Sequence, residues 1–291
     1  MVRTLRRAGL TVAAAAALAW LALGPGQPLP AAAAIRGTIA EFSYHSQALR
    51  DDLPFRIYLP AGYATSGKRY PVVYFLHGLP AGPFGFRNVV PLARALEQIN
   101  RQAILVAPRG ARDNDDDPEY LDWRPGRNWE TAIASELPRY VDAHFRTIPR
   151  RFGRALVGVS AGGYGATLAA LHHLGSFAVI ESWSGYFRPT NRKGDAVLDL
   201  GSRAANRHAS AHAFVPYLRR AFAARPTFFG FYVGRADHLF RGENMRLDRE
   251  LKRAGVPHVF HLYDGGHEDL LWERYAPEWF ARALEHLEPS G

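Results

Sequence analysis

The stretch Gly158-Val159-Ser160-Ala161-Gly162-Gly163 restricts the possible folds of this chain more than any other. It joins a short apolar run, residues 155–159, to a small-residue helical pattern over Ala161–His172. A strand that turns sharply into a helix brings backbone so close that side chains at the neighbouring positions would clash, so glycine is required there. The strain leaves the serine oxygen exposed above a sheet, and the helix N-terminus behind it favours negative charge. Five such residues are weak alone, because an ordinary strand-to-helix turn uses the same small side chains. Context strengthens them. Residues 70–76 (YPVVYFL) are continuously apolar, as a strand buried on both faces must be. They stop at His77-Gly78-Leu79, where a second backbone donor to an oxyanion is expected.

The rest of the chain alternates strand and helix signals. Residues 38–48 and 54–60 read as an opening hairpin, and 103–108, 177–183, 228–233 and 259–263 as further strands. Helical patterns cover 90–99, 129–145 with Asn128 as N-cap, 246–254 and 277–287. Residues 109–127 are irregular and polar, and 189–225 reads as a helical insertion over one end of the sheet. This alternation predicts an α/β fold, a doubly wound and mostly parallel sheet with a helical insertion.

A serine nucleophile needs a base, and the base needs an acid that fixes its tautomer. In this fold they follow in the order serine, acid, histidine, each after a strand. Asp237 follows the 228–233 strand, and His267 follows the 259–263 strand in Asp264-Gly265-Gly266-His267. Asp264 is the rival acid, but it shares a loop with His267 and reads as a turn residue. His238 is too close to Asp237, His258 and His261 lie in or beside a strand, and Glu268 and Asp269 read as first-turn helix acids. The backbone N–H groups of Leu79 and Ala161 form the expected oxyanion hole. His77 belongs to the loop carrying that hole and reads as structural.

These segments, YPVVYFLHGL (70–79), WETAIASELPRY (129–140), RALVGVSAGGYGA (154–166), SWSG (182–185) and GGH (265–267), resemble the putative-esterase family of α/β-hydrolases. That family includes S-formylglutathione hydrolase (esterase D), feruloyl esterases and secreted mycolyltransferases. The resemblance implies Ser160 as nucleophile, Asp237 as acid, His267 as base and the Leu79 and Ala161 amides as oxyanion donors. It also implies a carboxylic ester hydrolase working through an acyl-enzyme without a cofactor, on a small-molecule, glycan or lipid ester. Residues 120–123 (YLDW) look more like the secreted members, whose corresponding segment walls the cleft with an aromatic ring. Trp123 and Phe86 are therefore expected to bind substrate, with Phe84 and Tyr186 on neighbouring loops. The Ala161-Gly162-Gly163 run looks more like the esterases than the mycolyltransferases, which leaves acyl transfer as the alternative and a non-catalytic binding protein on the same scaffold as a lesser one.

The first residues set the expected compartment. Arg3, Arg6 and Arg7 precede an apolar run over 8–23, and small residues fill 31–34, as in a secretory signal peptide cleaved near Ala34. The run is short and alanine-rich for a membrane anchor. Residues 1–34 are thus expected to be removed, with 35–291 as one hydrolase domain that is secreted and keeps no stable membrane insertion. The formal charge of +9 falls to +6 without the three leading arginines, and the rest of the arginine is scattered. That speaks against a nucleic-acid partner. With no cysteine, thiol nucleophiles and disulfide scaffolds are excluded. Asp113, Asp115 and Asp117 open like a calcium loop, but Pro118 stands where glycine is needed, so no metal is expected. His208 and His212, spaced i, i+4, read as one face of an exposed insertion helix.

Overall fold

Strands rich in branched and aromatic residues form the centre of the protein. The computed structural model describes residues 34–79, 85–110, 120–191 and 194–291. Eight strands, β1 (Thr38–Ser46), β2 (Asp51–Leu59), β3 (Val72–Leu76), β4 (Ile104–Pro108), β5 (Arg154–Val159), β6 (Val179–Trp183), β7 (Phe228–Gly234) and β8 (Val259–Tyr263), make one sheet. Their order is β1-β2-β4-β3-β5-β6-β7-β8. The β1–β2 and β2–β4 pairs are antiparallel, and every other pair is parallel. The helices are α1 (Tyr63–Ser66), α2 (Val90–Gln98), α3 (Trp129–Thr131), α4 (Leu137–His144), α5 (Ala161–His172), α6 (Arg203–His208), α7 (Val215–Ala224), α8 (Arg241–Arg253) and α9 (Asp269–Glu285). This is the doubly wound, mostly parallel α/β-hydrolase sheet expected from the sequence.

Residues of β3, β4 and β6 are buried throughout, because helices cover both faces. The side-chain period of two divides the core. Val72, Tyr74 and Leu76 pack into a cluster with Ile133 and Phe177, whereas Val73 and Phe75 pack with Trp183, Trp279 and Phe280 on the other face. Helix α5 is buried from Ala161 to Leu171, and its small residues let it lie directly on the sheet. A Cβ on Gly162 would collide with the Leu76 carbonyl, and one on Gly158 with the Gly162 carbonyl.

Several boundaries differ from expectation. The 129–145 segment is not one continuous α-helix but α3, a π-helical turn over Ala132–Glu136, and α4. Asn128 makes no side-chain cap. Asp122 serves α3 instead, accepting from the Thr131 N–H at 3.0 Å. Helix α8 begins at Arg241, earlier than read, because its first turn, Arg241–Asn244, carries no large apolar residue to show the period; α9 begins at Asp269, ahead of Pro277, which reads as a helix start. Pro277 lies inside α9, where it denies the Glu273 carbonyl a helical donor. Buried Leu271, Ala276, Trp279 and Phe280 hold the helix through that gap.

The insertion holds α6, a 3-10 turn over Ala211–Ala213, and α7. The expectation that His208 and His212 share an exposed helix face is overturned. His208 closes α6, while His212 lies in the separate 3-10 turn. The His208 ring stacks on His172 with centroids 4.1 Å apart. The His212 side chain, 8% exposed, lies between Glu243, 2.8 Å away, and Glu250. Among the described residues, no helix is long and apolar enough to cross a membrane. The signal segment, Phe84 and the Asp113–Asp117 loop lie outside the described residues.

Candidate active site

At the C-terminal end of β5 the chain reverses into α5 through Ser160, whose backbone has φ 54° and ψ −120°. A non-glycine residue held there is strained, and the surroundings must fix it. The Ser160 N–H donates to the Trp183 carbonyl of the adjacent strand at 2.9 Å. Gly78, from the loop after β3, lies so close that a Cβ there would stand 2.9 Å from the Ser160 Cβ. The hydroxyl is thus fixed from two neighbouring strands.

The loops after β7 and β8 bring the other two groups. They are tied by backbone bonds from Arg235 to Tyr263 (2.7 Å) and from Ala236 to Gly265 (2.9 Å). Gly265 has φ 141°, which a side chain would resist. The Asp237 carboxylate is fully buried. One oxygen accepts from the N–H groups of Leu239 (3.0 Å) and Phe240 (2.9 Å). The other lies 2.9 Å from His267 Nδ1, and His267 Nε2 lies 3.0 Å from Ser160 Oγ. An ionised carboxylate only accepts, so Nδ1 carries the proton and Nε2 is left to receive one from the serine. The imidazole stands between two ring edges, Phe240 at 5.2 Å and Trp272 at 5.1 Å between centroids. Trp272 is anchored in turn by an indole N–H donated to Ser184 Oγ at 3.0 Å.

Ala161 is the first residue of α5, so its N–H has no partner within the helix. Neither that amide nor the amide of Leu79 donates to a backbone carbonyl among the described residues. His77 braces the loop that carries Leu79. Its Nδ1–H donates to the Gly78 carbonyl at 2.8 Å, and its Nε2 accepts from the Gly110 N–H at 2.7 Å. Burial lowers its pKa below the ordinary histidine value, which keeps that neutral tautomer.

Asp264, the rival acid, is exposed and pairs with Arg235 at 3.2 Å. His258 bonds Asp248, and His238 and His261 are exposed. Glu268 and Asp269 open α9, as read from the sequence. A cleft of about 600 Å³ beside Ser160 and His267 is lined by Phe75, Leu79, Leu92, Val159, Trp183 and Trp272 among others. Phe86 and Trp123 do not line it. Phe86 is 2% exposed, within the core. Trp123 packs against the cluster of Leu121, Ala161 and Tyr164, and Tyr186 stacks on Tyr164 inside that cluster. Trp272 was not foreseen. The signal was its place one turn into the helix that follows His267.

Behind this wall, Glu181 is buried. It accepts from Trp183 Nε1 and from the Tyr232 hydroxyl, both at 3.0 Å. Burial pushes its carboxyl up to about 8.

The sheet, the strained serine and the strand-end loops that carry Asp237 and His267 define an α/β-hydrolase. The chain belongs to the putative esterase family, whose model matches residues 46–282. It is similar to esterase Rv1288 of Mycobacterium tuberculosis, 31% identical over 172 residues that are 55% of this chain and 37% of that protein. It is also similar to the diacylglycerol acyltransferase/mycolyltransferase Ag85A of Mycobacterium leprae, 29% identical over 53% of this chain and 48% of that one. The chain thus spans less than half the length of these relatives. The structure of an S-formylglutathione hydrolase from Agrobacterium tumefaciens superposes with a TM-score of 0.72 at 20% identity, covering 88% of this chain and 98% of the other. At that identity the likeness is one of fold.

Proposed function

We propose that this protein is a serine esterase that hydrolyses a carboxylic ester through an acyl-enzyme, with Ser160, His267 and Asp237 as its triad. The observation that carries this reading is the continuous line of hydrogen-bond distances, 3.0 Å from Ser160 Oγ to His267 Nε2 and 2.9 Å from His267 Nδ1 to Asp237. His267 takes the serine proton as Oγ attacks the ester carbonyl, and buried Asp237 stabilises the imidazolium. The oxygen that becomes anionic is held by the Leu79 and Ala161 amides. The tetrahedral intermediate collapses with loss of the alcohol, which His267 protonates. Water then attacks the acyl-enzyme with His267 as base, and the acid leaves with Ser160 restored. No step calls for a cofactor. The reading includes export, with residues 1–34 removed and 35–291 acting as the mature domain.

The test is labelling by a fluorophosphonate probe together with turnover of p-nitrophenyl butyrate. Both should be present in the wild type and absent in a folded Ser160→Ala variant. Labelling that survives the substitution would overturn the assignment. Acyl transfer to a sugar or lipid alcohol is the alternative, and the matched mycolyltransferase relative is what supports it.

A further inference from the structure

The walls of the cleft differ sharply in charge, and this bears on which esters enter it. The inference rests on the esterase reading and names the substrate class of the same site. The inner surface is apolar, built from buried Phe75, Val159, Trp183 and Ala276. The side contributed by the start of α9 presents three carboxylates, Glu268, Asp269 and Glu273, all exposed. One oxygen of Glu268 accepts from the Gly266 N–H at 3.0 Å. Among the residues whose side chains are described, no arginine or lysine lines the cleft. Arg274, which follows Glu273 in the chain, has its guanidinium over the Tyr275 ring instead. The lining contributed by residues 88–92 offers Asn88, Pro91 and Leu92, which are neutral.

Acids in a first helical turn are ordinary, since they complement the helix dipole. Here, however, they flank the cavity that holds the Ser160 hydroxyl, and no cation in its described lining offsets them. A cleft of one sign with low-dielectric walls focuses its field on whatever approaches. The indole of Trp272 adds an aromatic surface on the same helix, which favours a cation further.

We infer that the α9 carboxylates make this cleft selective by charge, favouring esters with a neutral or cationic alcohol portion and rejecting those that carry a carboxylate or phosphate. Glutathione thioesters, which bear carboxylates, fall in the rejected class.

The experiment compares kcat/KM for three butyrate esters, ethyl butyrate, butyrylcholine and the butyrate ester of glycolate, by pH-stat at pH 7.5 in 20 mM and 500 mM NaCl. In low salt the cationic ester should exceed the anionic one by about tenfold or more, with the neutral ester between them. The ratio should shrink severalfold in high salt, where the Debye length falls to a few ångströms. In Asp269→Asn/Glu273→Gln the ratio should approach one. Equal kcat/KM for the three esters in low salt would overturn the inference while leaving the esterase reading intact. So would a ratio untouched by the double substitution. Absence of turnover on every ester, ethyl butyrate included, would overturn both.

Discussion

Trp272 donates its indole N–H to Ser184 Oγ at 3.0 Å while its ring edge meets His267. Ser184 is itself held at φ 48° at the end of β6, with its N–H donating to the Tyr232 carbonyl at 2.7 Å. The His267 ring is therefore aligned by a chain of contacts running back into the sheet. A misplacement of about 1 Å at a reacting group can cost a hundredfold in rate. Trp272→Phe keeps a ring edge and loses the anchor, so kcat should fall by about threefold to tenfold. Trp272→Ala should lower it by about thirtyfold or more. Steady-state kinetics on p-nitrophenyl butyrate decide this, and unchanged kcat in the alanine variant would remove Trp272 from the alignment of His267.

The three proposed catalytic groups act as a unit. His267→Ala should be nearly as damaging as Ser160→Ala, and Asp237→Asn should lower kcat by about 10³ to 10⁴. Asp264→Asn should stay within about twofold of wild type, because that side chain is exposed and pairs only with Arg235. If Asp264→Asn proved the more damaging of the two, the acid would be misassigned.

Glu181 makes stability depend on pH in an unusual direction. Its carboxyl titrates near 8 in the fold but near the ordinary 4.5 in the unfolded chain. Between those values the folded state holds a proton that the unfolded state has lost, so stability declines as pH rises from about 4.5 to 8. Glu130 and Glu243 act oppositely and at lower pH. Burial raises each carboxyl, but hydrogen bonds from histidines and, for Glu243, from Arg188 outweigh that and hold each at about 2. Their contribution is present above about 4.5 and is lost as pH falls toward 2. Thermal melts of wild type and Glu181→Gln from pH 5 to pH 8 should show a flatter profile for the variant. Parallel profiles would mean that Glu181 is ionised in the fold at neutral pH.

Close approach of α5 to the sheet predicts that Gly162→Ala is poorly tolerated, because the added methyl meets the Leu76 carbonyl. A loss of about 2 to 4 kcal/mol is expected, measurable by urea denaturation. A Gly242→Ala control, where a Cβ meets nothing within 4 Å, should change stability little.

Hydrolysis and transfer differ in what reaches the acyl-enzyme. Free acid should remain the main product on activated esters when glycerol or trehalose is supplied at millimolar concentration. Mass spectrometry showing acylated acceptor as the dominant product would move the protein to the acyltransferases.

The strand-to-helix turn at Ser160 was readable because its chemistry is local: glycine spacing, an apolar strand before it and a small-residue helix after it. The order serine, acid, histidine carried Asp237 and His267 in the same way, since each needs only a strand end. What depends on which face of an element meets which neighbour was not readable. Phe86 and Trp123 lie on segments near the cleft, yet each packs elsewhere, and nothing in an aromatic residue's neighbours along the chain reveals that choice. His208 and His212 have helical spacing, but a break between α6 and the 3-10 turn separates them. Pro277 reads as a helix start from its own preference, whereas the burial of Leu271 and Ala276 extends α9 across it.

The brace formed by His77 has a consequence for tolerance to acid. Its ring must accept from Gly110 while donating to Gly78, and a protonated ring cannot accept. An exposed histidine would charge near pH 6.5 and release Gly110, loosening the strap that carries Leu79. Because burial moves this protonation to lower pH, the strap stays closed through mildly acidic surroundings. When it does open, the first casualty is the geometry around the developing negative charge, so acid should silence turnover reversibly while the sheet is still intact.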